Sequence, residues 1–483
     1  MRTRFAPSPT GDMHLGGLRT ALYSYALARQ SGGSFAIRIE DSDAKRTVAG
    51  AEERLLSALA RCGLEHDGAV VKQSTRLPLY RQHADHLVKT HAAYCCFCSA
   101  GRLDSLRKMQ EATKQPTQYD GLCSHLSASE AEARVLNAEP YTIRMRAPKT
   151  GETVVHDAVV GAVRFDNRTM DDQVLVKSDG WPTYHLASVV DDHAMRVTHV
   201  VRGDEWLPST PKHLALYSMF KWSAPSFAHL PLLRNPDGTK LSKRKGALPV
   251  LDLLDAGHLP SALLNFCALL GWSPPPDAAL RADHVLSLAD FVRLFSLKHV
   301  TRSAAIADPK RLKFFNTEHL RCALAAGPHD AEFQLAERHV LNDLRQRGIE
   351  TDNREYVRAV MHLLNERAHD AGDFVRFGLH LFQAGVPEED LANFPKHVLD
   401  DPKQAMRIVQ AALAAGHDVD WDVLPASLGL PKGDVLSVLR WALTGLAAGA
   451  PVPATARILG SERVKHRLQT AGQALVQLVI FAD

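Results

Sequence analysis

His14, Gly16 and Gly17 close a proline-broken loop, Pro7-Ser8-Pro9-Thr10-Gly11-Asp12-Met13-His14-Leu15-Gly16-Gly17, set between a short apolar segment and a helical pattern. A helix start offers unpaired N–H groups and a positive dipole end to phosphate. Glycine lets backbone approach a nucleotide without a Cβ in the way, and an imidazole there can donate to an α-phosphate as charge builds in a transition state. A second segment, Lys240-Leu241-Ser242-Lys243-Arg244-Lys245-Gly246, crowds four cations into one short stretch. Leu and Ser interrupt the charges and Gly follows them, which suits a loop that closes lysines over a polyphosphate.

A third grouping has different chemistry. Cys96-Phe97-Cys98 and Cys123-Ser124-His125 are two ligand pairs of soft thiolates and one imidazole, the donor set of a closed structural Zn²⁺ site. Tyr119 and Cys95 compete for a place in it. The chain has seven cysteines, an odd number clustered at 95, 96 and 98, which reads as a reducing compartment and metal ligation, not a disulfide framework.

The elements that must position these residues follow from periodicity. Thr3–Ala6 predicts a strand. Leu18, Ala21, Leu22, Tyr25 and Ala28 recur at helical steps over His14–Arg29, and Gly32 and Gly33 stop that helix. Phe35, Ile37 and Ile39 alternate with Ala36, Arg38 and Glu40, which predicts a strand with two faces. Strand, helix, strand is a βαβ unit, hence a parallel sheet, whose ligands bind beyond the carboxyl ends of the strands. The rhythm breaks over 81–185, an apparent insertion, and resumes at Val197–Val201 and Leu230–Leu233. After Phe315 it disappears. Phe333, Ala336, Val340, Leu341 and Leu344 then form a helical stripe capped by Asp330 and stopped near Gly348. Asp401-Pro402 opens another helix that Gly416 closes, and Tyr356–Leu364 and Val435–Leu443 repeat the spacing.

In this order and context the two phosphate-binding segments resemble the HIGH and KMSKS motifs of class I aminoacyl-tRNA synthetases. Phe5–Gly17 with Arg19-Thr20-Ala21-Leu22, Arg38-Ile39-Glu40-Asp41-Ser42-Asp43, Ser178–His193 and Val201–Trp206 resemble the glutamyl-tRNA synthetases in particular. The resemblance covers the whole chain, more weakly after residue 320. Gly17 stands where HIGH ends in His, a habit of this family.

The fold implied is α/β: a Rossmann-type class I catalytic domain with an inserted acceptor-binding domain, then an all-α anticodon-binding region. The boundaries expected are 1–80 and 186–250 for the two catalytic halves, 81–185 for the insertion with its zinc site, 251–320 for a helical stem-contact region and 321–483 for the anticodon region. The implied reaction joins L-glutamate to tRNA(Glu) through glutamyl-adenylate, with ATP and Mg²⁺. His14, Lys243 and Lys240 would be catalytic, with Gly16, Gly17, Glu205, Lys240, Ser242 and Lys243 on ATP. Arg4, Glu40 and Arg202 fall at strand ends: the arginines suit the substrate's side-chain carboxylate and the acid its ammonium. Ala6, Ser8, Tyr184 and Ser188 complete the implied glutamate pocket, and Cys96, Cys98, Cys123 and His125 the implied zinc site. Charging of tRNA(Gln) as well remains open, as does a non-catalytic RNA-binding scaffold.

Composition bounds the rest. The chain has 483 residues, 45% hydrophobic and 23% charged, which fits a globular protein of several domains and excludes a disordered or fibrous one. Its net charge of +3 neither supports nor excludes RNA binding, because a local basic surface can sit on a balanced chain. Apolar runs are too short to span a bilayer. The helical pattern after 330 speaks against a glutaminyl-tRNA synthetase, which ends in β-barrels. The length speaks against the truncated paralogue that glutamylates a tRNA base. The expectation is a monomer without membrane contact, in the cytoplasm if bacterial and in the mitochondrial matrix if eukaryotic.

Overall fold

The computed structural model describes residues 1–43, 45–241, 249–276, 278, 285–416 and 419–482. The chain divides into two compact units, one of Met1–Leu253 with Leu263–Arg311 and one of Leu254–Ala262 with Leu312–Asp483.

The first unit is built on parallel strands. β1 (Arg2–Phe5), β2 (Ser34–Ile39) and β3 (Val71–Lys72) pair in parallel, with Arg4 opposite Ala36 and Arg38 opposite Val71. The helix α1 (Leu15–Gln30) makes the first crossover, as the βαβ pattern predicts. Alternation in β2 does not leave a wet face: every residue after Ser34 is buried, Arg38 completely. Helices cover both faces of such a sheet, so its polar positions must find partners inside.

A second group of strands runs in the order β7 (Gly161–Asp166), β6 (Glu152–Asp157), β10 (Ser226–Leu230), β9 (His199–Gly203). β9 lies along β1: the Thr198 N–H donates to the Arg2 carbonyl at 2.9 Å. β10 is parallel to both β9 and β6, with Arg202 opposite His229 and Phe227 opposite Asp157. Two helices, α2 (Tyr184–Ala194) and α3 (Thr210–Met219), flank β9 in the chain. The strand expected at Leu230–Leu233 is two pieces. β10 ends at Leu230, Pro231 supplies no N–H, and Leu233–Arg234 pairs instead with Ala305–Ile306.

Between residues 81 and 185 the chain makes an antiparallel sheet of β4 (Ala93–Cys96), β5 (Thr142–Met145) and β8 (Val174–Val176). The β6–β7 hairpin from the same stretch is the part that joins β10.

The second unit is helical throughout its described residues. Asp330 caps helix Ala331–Gln346 by accepting from the Phe333 N–H at 2.9 Å, an arrangement worth about 1 kcal/mol. Phe333, Ala336, Val340 and Leu344 are buried as the stripe predicts, while Leu341 is half-buried. Asp401 caps Pro402–Ala415 through the Gln404 N–H, and Gly416 ends it at φ +66°. Among the described residues no helix is long and apolar enough to cross a membrane.

Candidate active site and a cysteine cluster

The carboxyl ends of β1, β2 and β9 open into a cavity of about 450 Å³. Arg4, Ala6, Ser8, His14, Gly16 and Gly17 line it from the first strand and loop. Glu40, Tyr184, Arg202, Glu205 and Lys240 line it from the others. The expected residues Ser242 and Lys243 lie outside the described residues.

His14 is the N-cap of α1. Its Nδ1 accepts from the Gly16 N–H at 3.1 Å, so the neutral ring carries its proton on Nε2, the nitrogen suited to donate to a phosphate oxygen. Gly16 has a sharper reason to be glycine than clearance for a nucleotide. A Cβ there would stand 3.0 Å from His14 Cε1 and 3.1 Å from Nδ1. A Cβ on Gly203 would fall 2.2 Å from the Glu205 carboxylate, the far end of a side chain that also lines the cavity.

Glu40 follows β2 and is held by Arg38, whose Nη2 donates to Oε1 at 3.0 Å. Burial raises the Glu40 carboxyl above its usual range, against the pull of Arg38 and Arg4. Asp192 joins these cations from α2: its Oδ1 accepts from Arg38 Nη1 at 2.5 Å and from Arg4 Nε at 3.2 Å. Burial penalises the Asp192 charge, but Arg38 and Arg4 outweigh it and keep the carboxyl below the ordinary carboxylate range. Ser188 does not line the cavity. It is buried behind Arg38, which donates to its hydroxyl at 3.4 Å.

Arg202 is buried with no such counter-charge. Its Nε donates to His229 Nε2 at 3.0 Å, and Nη1 donates to the Tyr184 hydroxyl at 2.8 Å and His213 Nδ1 at 3.4 Å. Nη2 donates to Thr210 Oγ1 at 2.9 Å and the Trp206 carbonyl at 3.3 Å. All five acceptors are neutral, and among the described residues no carboxylate lies within ion-pair distance of this guanidinium. Burial, followed by Arg202 itself, holds the His213 imidazole well below its ordinary value. A buried cation satisfied only by dipoles is a site made for an incoming anion.

Sequence reasoning gave no role to Trp206 or Arg19. The Trp206 ring sits 4.2 Å from that of Tyr184 and walls the cavity. Arg19 holds the Pro231 loop against α1, donating to the Pro231 carbonyl at 2.7 Å and the Leu270 carbonyl at 3.2 Å. A tryptophan just beyond a strand end was the available signal for the first. Nothing in the sequence points to the second.

Away from the cavity, Cys96, Cys98 and Cys123 place their sulfurs within 4.8 Å of one another. His125 is not in that group. Cys123 and His125 fall in a 3₁₀ turn, Leu122–His125, where residues two apart point in different directions. The Tyr119 hydroxyl lies beside these sulfurs, 3.3 Å from Cys98 Sγ and 3.5 Å from Cys96 Sγ. Arg144 stacks over the Tyr119 ring at 4.1 Å. The donor set suits Zn²⁺.

Residues 1–314 match the family model for the catalytic domain of class I tRNA synthetases (E and Q), and residues 333–472 match an anticodon binding domain. A glutamate–tRNA ligase of Prosthecochloris aestuarii is 37% identical, with 97% of each chain covered. The mitochondrial glutamate–tRNA ligase of Saccharomyces cerevisiae is 46% identical over 66% of this chain and 61% of its own length. Among solved structures, a glutamate tRNA ligase from Elizabethkingia meningosepticum in complex with its amino acid superposes with a TM-score of 0.85 at 32% identity. That match covers 98% of this chain and 99% of that one. The parallel-strand cavity with its buried arginines, the helical second unit and the likenesses to the Prosthecochloris and Elizabethkingia proteins over nearly the whole chain agree: the chain belongs to the glutamate–tRNA ligases of the class I tRNA synthetase family.

Proposed function

We propose that this protein joins L-glutamate to the terminal adenosine of tRNA(Glu) at the expense of ATP. The observation that carries the choice of amino acid is Arg202, a buried guanidinium with five neutral acceptors, beside Arg4 and across from Glu40. A glutamate side-chain carboxylate supplies the missing charge at Arg202, Arg4 adds a second cation, and Glu40 takes the ammonium. An amide in place of that carboxylate would leave the buried charge uncompensated, which is how a site rejects an isostere.

ATP enters as its Mg²⁺ complex. The substrate α-carboxylate oxygen attacks the α-phosphorus, the new O–P bond forms, and the bond to the bridging oxygen breaks to release pyrophosphate. His14, with its proton on Nε2, donates to the charge gathering on the α-phosphate. Lys240 and, outside the described residues, Lys243 and Ser242 hold the departing phosphates. A hydroxyl of the terminal adenosine then attacks the acyl carbon and AMP leaves. No covalent enzyme intermediate is required, so the cysteines are free for a structural role. Cys96, Cys98, Cys123 and Tyr119 would hold Zn²⁺ and fix the inserted segment 81–185, which we assign to the tRNA acceptor end. The helical region after 320 takes the anticodon. The protein acts as a monomer.

Charging of total tRNA with radiolabelled glutamate, with glutamine as control, tests the proposal. Glutamate alone should be incorporated. Incorporation of glutamine instead refutes the reading of Arg202, and no incorporation of either points to an RNA-binding scaffold. Purified tRNA(Glu) and tRNA(Gln) then decide whether both are substrates.

A further inference from the structure

The glutamate cavity leaves unexplained a buried carboxylate on a strand outside it. Asp157 ends β6, in the stretch between the two halves of the parallel sheet, and its side chain is shielded from water. Its Oδ1 accepts from the backbone N–H groups of Val159 and Val160 at 2.9 and 2.8 Å. Its Oδ2 meets Nδ1 of the equally buried His229 at 2.6 Å. The register of β6 on β10 sets this meeting, since Phe227 lies opposite Asp157 and the His229 N–H also bonds its carboxylate at 3.1 Å.

A carboxylate on Nδ1 fixes the tautomer of His229 with the proton on that nitrogen. Nε2 is then a bare acceptor, and it faces Arg202 Nε at 3.0 Å. The opposite tautomer would turn an N–H against the arginine N–H. Burial, with Arg202 adding to it, outweighs the upward pull of Asp157 and keeps the imidazole below its ordinary value, so the ring beside the cation is neutral. The line Asp157–His229–Arg202 therefore places a negative charge one ring away from the guanidinium. A carboxylate bonded directly to Arg202 would hold it better, but would neutralise the cation the substrate needs. An imidazole spacer holds the arginine and leaves its charge for the ligand.

We propose that Asp157 and His229 are positioning residues for recognition of the substrate's side-chain carboxylate: together they aim Arg202 and keep its charge available. The inference rests on the reading of this cavity as the glutamate site. It assigns part of the amino-acid choice to a hairpin that never touches the amino acid.

The test is steady-state charging of tRNA by the full-length protein. Asp157→Asn keeps the shape and removes the charge that selects the tautomer. It should raise the KM for glutamate ~10-fold while kcat and the KM for ATP stay within about 3-fold, the pattern of lost substrate binding as opposed to a damaged enzyme. The preference for glutamate over glutamine should fall in step. His229→Gln places an amide oxygen near the position of Nε2 and should hold the glutamate KM at least about 5-fold below that of His229→Leu, which offers Arg202 no acceptor. An unchanged glutamate KM in Asp157→Asn, or glutamate and ATP KM values rising together, would overturn the proposal. Should Asp157→Asn fail to fold, the two His229 variants decide it, and equal glutamate KM values overturn it. Wild-type protein that charges no glutamate refutes the function itself. Wild-type protein that does, with indifferent variants, refutes only the positioning.

Discussion

Arg38 donates to Glu40 at 3.0 Å, two residues along the same chain, and does so from complete burial. The same guanidinium meets Asp192 at 2.5 Å and lies 3.8 Å from Asp191, so one cation serves three carboxylates. Removing one partner from a buried ionic group costs about 3–5 kcal/mol, because the remaining charges cannot be rehydrated. Arg38→Met should therefore lower thermal stability markedly. In protein that still folds, Glu40 should be driven further toward its neutral form and lose its grip on the substrate ammonium. A raised glutamate KM with an unchanged ATP KM checks this; an unaltered glutamate KM would remove Glu40 from the ammonium site.

The cysteine cluster makes a separate prediction, about which fourth residue binds metal. Elemental analysis of protein purified without chelator should find about one zinc per chain. His125→Ala should keep it, Cys98→Ser should lose it, and Tyr119→Phe should weaken retention against a competing chelator. Zinc lost from His125→Ala but retained by Tyr119→Phe would restore the pairing first expected from the sequence.

These two cases mark where the sequence was legible. Arg4, Glu40 and Arg202 could be found because parallel strands end at one edge of a sheet, so residues at the ends of three strand patterns share a cavity. His14 and Lys240 came from loop composition. Arg38 looked like the polar side of an alternating strand, and only the layers packed on both faces turn it into the buried centre of an ion network. His125 was chosen by spacing, which is blind to the 3₁₀ turn that separates it from Cys123. Asp157 and His229 could not be paired at all. They lie on strands far apart in sequence, and the register between those strands is a tertiary fact.

The histidines around Arg202 impose a pH dependence with a definite sign. Burial, then the cations Lys212 and Arg202, lower His185 to about 4, and His213 is held well below its ordinary value. An unfolded imidazole titrates near 6.5, so below that pH the unfolded chain binds protons that the folded one refuses. Their contribution is complete above about pH 6.5 and is lost as pH falls toward the folded value, on the order of 3 kcal/mol for His185 alone. Thermal midpoints should fall between pH 7 and 5, and His185→Phe should flatten that fall. Parallel curves for the variant and wild type would show that His185 is not the group responsible. Folded His213 stays neutral over the same interval and goes on accepting from Arg202, so in protein that remains folded the glutamate KM should not rise on account of His213.

Gly16 offers the cleanest separation of stability from catalysis. It lies in the first turn of α1, where alanine is at least as good a helix former, so Gly16→Ala should leave folding within about 1 kcal/mol of wild type. Yet the added methyl would stand 3.0–3.1 Å from the His14 ring, which must move by a few tenths of an ångström or turn away. His14 holds the Gly16 N–H through Nδ1, so any such movement also disturbs the bond that sets its tautomer. Catalytic placement is sensitive on that scale, and kcat should drop ~10-fold or more while the glutamate KM changes little. Pyrophosphate exchange and tRNA charging should fall together, because both need the same adenylate-forming step. A fully active Gly16→Ala with an unchanged melting curve would mean that the position of the His14 ring does not matter to the reaction, and that the phosphate must be met by other donors.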